Sequence, residues 1–146
     1  MFQDLLQNKD KGAKGYYYRL ALDQVARGEA IPTSLSYPIK TWTFGNDLAM
    51  VFLAGEVVVD YSLRLKKELG AERLWITAFA NDVPCYIASR RVIQEGCYEV
   101  ESSMYSYNRP SRFSEVVEDL IVAAVYDLLP ASFKPKAGNK DLSQSK

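Results

Sequence analysis

Apolar and polar residues alternate along this chain with two periods, and each period predicts a different kind of element. Near the amino end, helical spacing predicts a helix over residues 15–27. It ends at Gly28, because glycine readily adopts the left-handed conformation that follows many helices. The apolar stripe of this helix consists of Tyr17, Leu20, Ala21 and Val25.

The next two elements are predicted to form a β-hairpin. Residues 39–44 place Trp42 and Phe44 on one face, and the turn sequence Gly-Asn-Asp at 45–47 leads into a second run at 48–53. This second run, LAMVFL, is continuously apolar rather than alternating. We therefore expect it to be a central strand that is covered on both faces.

A helix and another strand follow, and with the preceding strand they predict a βαβ unit. Residues 56–69 carry a helical apolar stripe that ends at Gly70, and residues 74–79 are an apolar run of strand length. The stripe consists of Val57, Tyr61, Leu65 and Leu69. Such a crossover usually joins parallel strands, so residues 54–56 and 80–82 should be neighbours at one edge of the sheet.

The following part of the chain is less regular. Residues 83–87 are predicted to be a short extended piece, and Ser89 to be the N-cap of a short helix that ends at Gly96. Residues 97–112 are rich in serine and tyrosine, which predicts a loop with aromatic contacts. Ordered loops of this length are often functional.

A last helix is predicted over residues 113–129, before Pro130. Its apolar side consists of Val117, Leu120, Ile121, Ala124, Val125 and Leu128. Glu115, Glu118 and Asp119 lie in its first turns, where the helix dipole favours acids. Residues 131–146 are polar and aperiodic, so we expect a disordered tail.

These elements predict an α/β fold, with a mixed sheet that contains a β-hairpin and a βαβ unit and with helices packed on the sheet. Length and composition agree, because 146 residues with 48% hydrophobic and 25% charged residues are typical of one globular domain. We expect a single domain over residues 1–130, followed by the disordered tail over residues 131–146.

Charge and hydropathy exclude several partners. Eighteen basic and eighteen acidic residues give a formal net charge of zero, so the chain lacks the basic surface that nucleic acid requires. No run of about 18 apolar residues predicts a membrane span, and no signal-peptide pattern is present at the start. Cys85 and Cys97 do not have the spacing of a redox or zinc motif.

Candidate chemistry lies where the two parallel strands end, since α/β proteins bind ligands at that edge. Glu56 follows Gly55 there, and a carboxylate in this place can bind a metal or act as a base. Alternatively, Glu56 is simply an acid in the first turn of its own helix. Asn81 and Asp82 follow the second strand, and their short polar side chains also suit an ordinary turn.

Tyrosines near the same edge form a second set of candidates. The phenols of Tyr86 and Tyr98 can ligate a metal or donate a hydrogen bond to an oxyanion. In a chain with ten tyrosines, these two are also explained as amphipathic aromatic residues half in the core. The chain contains no histidine, so by itself it cannot build a conventional histidine-dependent nucleophile or zinc site.

Three motifs in register resemble a known family. They are FLAGEVVV at 52–59, ANDVPCYI at 80–87 and QEGCYE at 94–99. Together they resemble the C-terminal part of the catalytic domain of neutral/alkaline (non-lysosomal) ceramidases, over about residues 41–107. The sequence departs from the family at Ala54, where proline is usual, and at Val100 and Glu101, where small residues are usual.

The resemblance implies a zinc-dependent amidase that hydrolyses the N-acyl bond of ceramide-type lipids. It implies Glu56 and Tyr86 as Zn²⁺ ligands and Tyr98 as the residue that stabilises the tetrahedral oxyanion, and we expect Asn81 and Asp82 to contact the substrate. The family's two histidine ligands and its serine nucleophile belong to the N-terminal half of the catalytic domain, which this chain lacks. Full-length family members are usually exported.

Two functional hypotheses remain open at this point. In the first, the chain is part of a ceramidase-like amidohydrolase, inactive alone and weak or absent in zinc binding, and it needs the missing N-terminal half and a lipid amide substrate. In the second, the chain is a non-catalytic α/β module that binds or assembles with a partner through an exposed strand edge.

Overall fold

The computed structural model describes residues 12–135, which form an α/β fold with a mixed sheet. The larger sheet has three strands, β1 (Ile39–Phe44), β2 (Leu48–Leu53) and β4 (Leu74–Thr77). Their order is β1-β2-β4, with β1 antiparallel and β4 parallel to β2. The predicted hairpin, the central position of β2 and the parallel crossover are therefore confirmed.

A second, two-stranded sheet lies beside the first. It consists of β3 (Glu56–Val57) and β5 (Tyr86–Ile87), which pair in parallel. The prediction that residues 56–69 form one helix is wrong at its start, because Glu56 and Val58 donate backbone hydrogen bonds to the carbonyls of Cys85 and Ile87. The helix α2 begins only at Val59 and runs to Leu69.

The remaining helices follow the predicted order with corrected bounds. They are α1 (Ala13–Ala26), α3 (Arg90–Glu95), α4 (Ser102–Ser106) and α5 (Val117–Leu128), with short 3-10 turns at Ala71–Arg73 and Ala131–Phe133. Helix α4 contradicts the prediction that residues 97–112 are entirely a loop. Among residues 12–135, no helix is long and apolar enough to cross a bilayer.

The capping predictions for α3 are confirmed. The Ser89 hydroxyl accepts a hydrogen bond from the Val92 amide at 3.3 Å, and Gly96 has the left-handed conformation at the other end. Gly28 and Gly70 likewise follow α1 and α2 with positive φ. These short polar and glycine residues therefore set the ends of the helices as expected.

The predicted apolar stripes are only partly buried. In α1, Tyr17 is buried whereas Leu20 and Val25 are exposed, and in α5, Leu120 and Leu128 are exposed. Helix α5 also begins four residues later than predicted. Phe113 lies outside the helix and packs against two clusters of buried side chains, one that includes Leu65 and Val125 and one that includes Val92 and Ile93.

The core lies on one face of the larger sheet, beneath α2 and α5. Ala49, Val51 and Leu53 of β2 are fully buried against Leu65 and Val125. Arg64 of α2 joins the two helices through ion pairs with Glu118 and Asp119, both at 2.8 Å. The expectation that both faces of β2 are covered is wrong, since only alternate residues are buried.

The structure describes only residues 131–135 of the predicted disordered tail. Within its described part, Phe133 is buried in the core and lies beneath the guanidinium of Arg73 at 4.9 Å, so disorder from residue 131 onward is wrong for these first residues. Residues 136–146, like residues 1–11, lie outside the described part of the chain.

Candidate functional site

The candidate site is built where β2 and β4 end, and Gly55 makes its geometry possible. The Gly55 amide donates to the Asp82 carbonyl at 2.8 Å, and its carbonyl accepts from the Phe79 amide at 2.9 Å. Residues 54–56 and 80–82 are therefore neighbours, as predicted. Gly55 has φ +79°, and a Cβ there would lie 2.6 Å from the Cys85 carbonyl oxygen. The missing side chain thus admits a neighbouring backbone.

Strand pairing places Glu56 and Tyr86 side by side. They are partners in the β3–β5 register, and both side chains are half-buried. The reading of Glu56 as an acid of the first helical turn is wrong, because Asp60 occupies that turn of α2. Glu56 instead projects from a strand beside a phenol.

Tyr98 and Tyr107 complete a four-residue group with Glu56 and Tyr86, which we call the Glu56 cluster. The rings of Tyr86 and Tyr98 meet edge to face, with centroids 5.9 Å apart. The Tyr107 hydroxyl donates a hydrogen bond to Glu56 Oε1. Tyr98 is the most exposed member, whereas Tyr107 is half-buried against the main core.

Sequence reasoning missed Tyr107. It lies 51 residues from Glu56 and just beyond α4, in the segment that was predicted to be a loop with aromatic contacts. Its neighbours position it, since Met104 is buried and the Arg109 side chain donates to the Pro84 carbonyl at 3.2 Å. The abundance of tyrosine in residues 97–112 was the signal for a functional segment, but it did not single out this residue.

The Glu56 carboxylate disfavours ionisation of the phenols beside it. It raises the pKa of Tyr86 to about 12, first as a hydrogen-bond partner and then, after desolvation, through its charge. The same causes in the same order raise the pKa of Tyr107 to about 12. Both phenols are therefore neutral at neutral pH and are available as hydrogen-bond donors.

Asn81 and Asp82 contribute mainly through their backbone. Asn81 has a left-handed φ of 67°, and its side-chain oxygen accepts from Lys40 Nζ at 3.3 Å. The Asp82 carboxylate accepts from the amide of Val83 at 2.8 Å, which is a turn-forming contact. Both side chains are exposed, so nothing in these contacts directs them at the Glu56 cluster.

The Glu56 cluster offers only oxygen atoms as metal ligands, and this limits how well it fits zinc. One carboxylate and neighbouring phenols supply ligands that zinc accepts, but zinc sites also draw on imidazole or thiolate. Among the described residues, no three His, Cys, Asp or Glu side chains lie together as a metal-binding group. Cys85 is buried and Cys97 exposed, and both are free thiols. Among the described residues, the cluster therefore lacks the imidazole or thiolate ligands that a complete zinc site usually has.

An apolar groove elsewhere on the surface does not include the cluster. It has a volume of about 410 Å³ and lies between residues 33–39 and helix α5, with Tyr37, Phe113 and Leu120 among its lining residues. We place the candidate site at the Glu56 cluster because the polar side chains converge there. Comparisons of the chain with protein-family models, curated proteins and solved structures found no match.

Replacing Glu56 with glutamine should lower the pKa of Tyr86 and Tyr107 from about 12 toward the ordinary value of 10. A neutral amide no longer opposes the phenolate charge. The raised pKa stabilises the fold below pH 10, and this contribution is lost as the pH rises toward 12. Ring-carbon NMR titration of labelled tyrosines, assigned with Tyr86→Phe and Tyr107→Phe, measures the shift.

The matched control for this titration is Glu72→Gln, which removes an exposed carboxylate from the turn after α2. It should leave both phenols unchanged. If Glu56→Gln leaves the two pKa values near 12, the carboxylate is not their cause.

Proposed function

We propose that this chain is the C-terminal part of the catalytic domain of a ceramidase-like, zinc-dependent amidohydrolase. The pairing of Glu56 with Tyr86, with Tyr98 against the Tyr86 ring, carries the proposal. Three residues that the sequence resemblance marks out independently thus share one small region. The substrate class is an N-acyl amide of the ceramide type, and the chain alone is inactive.

Glu56 and Tyr86 would hold the metal in the complete enzyme. Glu56 lies on β3 and Tyr86 lies on β5. The pairing of these strands fixes the spacing of the two residues more firmly than a loop would. Zinc in such a site polarises a carbonyl and lowers the pKa of a nucleophile. The resemblance implies that the histidine ligands and the serine nucleophile come from the N-terminal half of the catalytic domain, and this chain contains no histidine.

Tyr98 is the proposed oxyanion donor. Its side chain is the most exposed of the cluster, so a substrate carbonyl can approach its hydroxyl. A phenol that donates a hydrogen bond to the developing oxyanion lowers the barrier, and removal of one such donor typically costs about 100- to 1000-fold in rate. Asn81 and Asp82 lie next to the cluster, because the Asp82 carbonyl accepts a hydrogen bond from the Gly55 amide. Substrate contact is the role we propose for both residues.

The experiment is hydrolysis of a fluorescent N-acyl sphingosine by the complete gene product that contains this chain. Tyr98→Phe should lower the rate by about 100-fold or more with its zinc retained, and Glu56→Ala should lose zinc as well as activity. Tyr16→Phe is the matched control, because Tyr16 is also an exposed tyrosine but belongs to α1. Activity that survives both site variants would refute the assigned roles.

Zinc titration of the isolated chain gives a second test. Two oxygen ligands do not complete a four-coordinate site, so calorimetry should detect weak binding or none. Tight, stoichiometric zinc binding by this chain alone would contradict a site that is divided between two segments.

One observation favours the second candidate function, a non-catalytic module that assembles with a partner. One face of the larger sheet carries exposed aromatic side chains, among them Trp42 and Trp75. A purely catalytic role does not require such a surface. A complete gene product that has no amidase activity but forms a stable assembly would favour this second function.

A further inference from the structure

Tyr107 is the member of the Glu56 cluster to which the proposed function gives no role. Its hydroxyl donates a hydrogen bond to Glu56 Oε1. Tyr107 reaches this carboxylate from a third segment of the chain, since Glu56 and Tyr86 belong to β3 and β5. The two partners are 51 positions apart in the sequence, so their contact depends on the tertiary fold.

The backbone around Tyr107 is anchored on both sides. Its amide donates to the Met104 carbonyl at 3.1 Å, and the Arg109 amide donates to the same oxygen at 2.9 Å. Met104 is buried in the core, and Arg109 Nε donates to the Pro84 carbonyl at 3.2 Å. The Tyr107 ring itself packs against the core. The fold therefore fixes the place from which the hydroxyl approaches Glu56.

The side chain of Glu56, by contrast, is not fixed by its strand. The Glu56 amide donates to the Cys85 carbonyl at 3.0 Å, which positions the backbone of β3. The torsions beyond Cβ rotate unless a contact holds the carboxylate, and ordering a long side chain costs entropy. Tyr86 is a proposed metal ligand, so its hydroxyl is committed elsewhere. Tyr107 has no such second task, and its hydroxyl contacts the carboxylate.

We propose that Tyr107 is a positioning residue, which holds Glu56 Oε1 so that Glu56 binds the metal through Oε2. This role rests on the proposed function, in which Glu56 is a ligand. Carboxylates that bind metals are usually hydrogen-bonded by surrounding groups, and loss of such a partner typically lowers metal affinity or activity by about 10- to 100-fold. Tyr107 acts through Glu56 and is not itself a ligand.

A second tyrosine–glutamate pair separates positioning from plain stability. Tyr126 of α5 donates to Glu68 Oε2 of α2 at 3.0 Å, across 58 positions of the sequence. Tyr126, like Tyr107, is half-buried and packs against the main core. Neither Tyr126 nor Glu68 belongs to the Glu56 cluster. Tyr126→Phe therefore removes the same kind of hydrogen bond and leaves the candidate site intact.

The first experiment measures the zinc affinity of the complete gene product by competition with a chelator. Tyr107→Phe should weaken zinc binding by about 10- to 100-fold, because the carboxylate is no longer held. Tyr126→Phe should leave the affinity unchanged, and urea unfolding checks that both variants fold. Equal zinc affinity in the two variants would overturn the proposal.

The second experiment measures the order of the Glu56 side chain in this chain without zinc. Carbon relaxation by NMR should give the Glu56 methylenes a higher order parameter than those of Glu72, an exposed glutamate. Tyr107→Phe should bring Glu56 down toward the value of Glu72, and Tyr126→Phe should not. If Tyr107→Phe does not fold, the unmodified chain still decides, because a Glu56 as mobile as Glu72 contradicts the proposal.

Failure of the positioning role is distinguishable from failure of the proposed function. Zinc that survives Glu56→Ala shows that Glu56 is not a ligand, which refutes both. Loss of zinc in Glu56→Ala, with normal zinc affinity in Tyr107→Phe, refutes the positioning role alone.

Discussion

Replacing Gly55 with alanine should lower the free energy of unfolding by about 2–5 kcal/mol, since two penalties combine. The backbone at Gly55 has φ +79°, which L-residues adopt only with strain. The added Cβ would also lie 2.6 Å from the Cys85 carbonyl oxygen. This oxygen accepts a backbone hydrogen bond from the Glu56 amide. Relief of the clash would therefore disturb the pairing of β3 with β5.

Gly28→Ala is the matched control for this substitution. Gly28 has nearly the same φ, +77°, but an added Cβ there has nothing within 4 Å. It should cost only the conformational penalty, about 1–2 kcal/mol. Urea unfolding of both variants separates strain from clash. Equal losses of stability would show that the close approach to Cys85 contributes nothing.

Leu65→Ala should lower the free energy of unfolding by about 2–5 kcal/mol, because it removes a fully buried side chain from the centre of the core. Leu65 lies on α2, and its core partners come from β2 and α5. A cavity there weakens the contact of both helices with the sheet. Chemical denaturation followed by circular dichroism measures the loss.

Leu63→Ala provides the comparison on the same helix. Its side chain is exposed, so an identical truncation should change the stability by no more than about 0.5 kcal/mol. A cost similar to that of Leu65→Ala would mean that α2 presents a different face to the core than the one described.

The sequence predicts the fold well where one local pattern determines the structure. A hairpin and a parallel crossover are identified by three local signals: the run LAMVFL, the turn at 45–47, and the glycines that follow α1 and α2. The error at Glu56 has a physical cause. Residues 56–58 continue a helical stripe, but their backbone groups pair with Tyr86 and Ile87, thirty residues away. No local pattern contains that pairing.

The prediction of a β2 covered on both faces failed for an instructive reason. A continuously apolar strand predicts that both of its faces are covered. The pattern does not say which part of the molecule covers them. Met50 and Phe52 lie on the face of β2 opposite the core, where they are only partly buried and lack a full covering layer in the described structure. The fold of residues 12–135 supplies that layer on one side only.

The candidate site was predictable in part. The crossover rule brought Glu56 near the loop after β4, whereas the pairing of Glu56 with Tyr86 is seen only in the structure. Tyr107 was beyond prediction, because its contact with Glu56 depends on how helix α4 packs. The metal and substrate roles of these residues remain predictions from the resemblance.

The aromatic contact between α1 and α4 gives the first helix a part in the site. Tyr105 of α4 packs against Tyr17 and Tyr18 of α1, with ring centroids 5.8 and 5.7 Å away. Tyr107, two residues further on, holds the Glu56 carboxylate. Helix α1 therefore contacts the helix that precedes Tyr107, and we expect a shortened chain without α1 to hold Glu56 less firmly while it keeps every residue of the cluster.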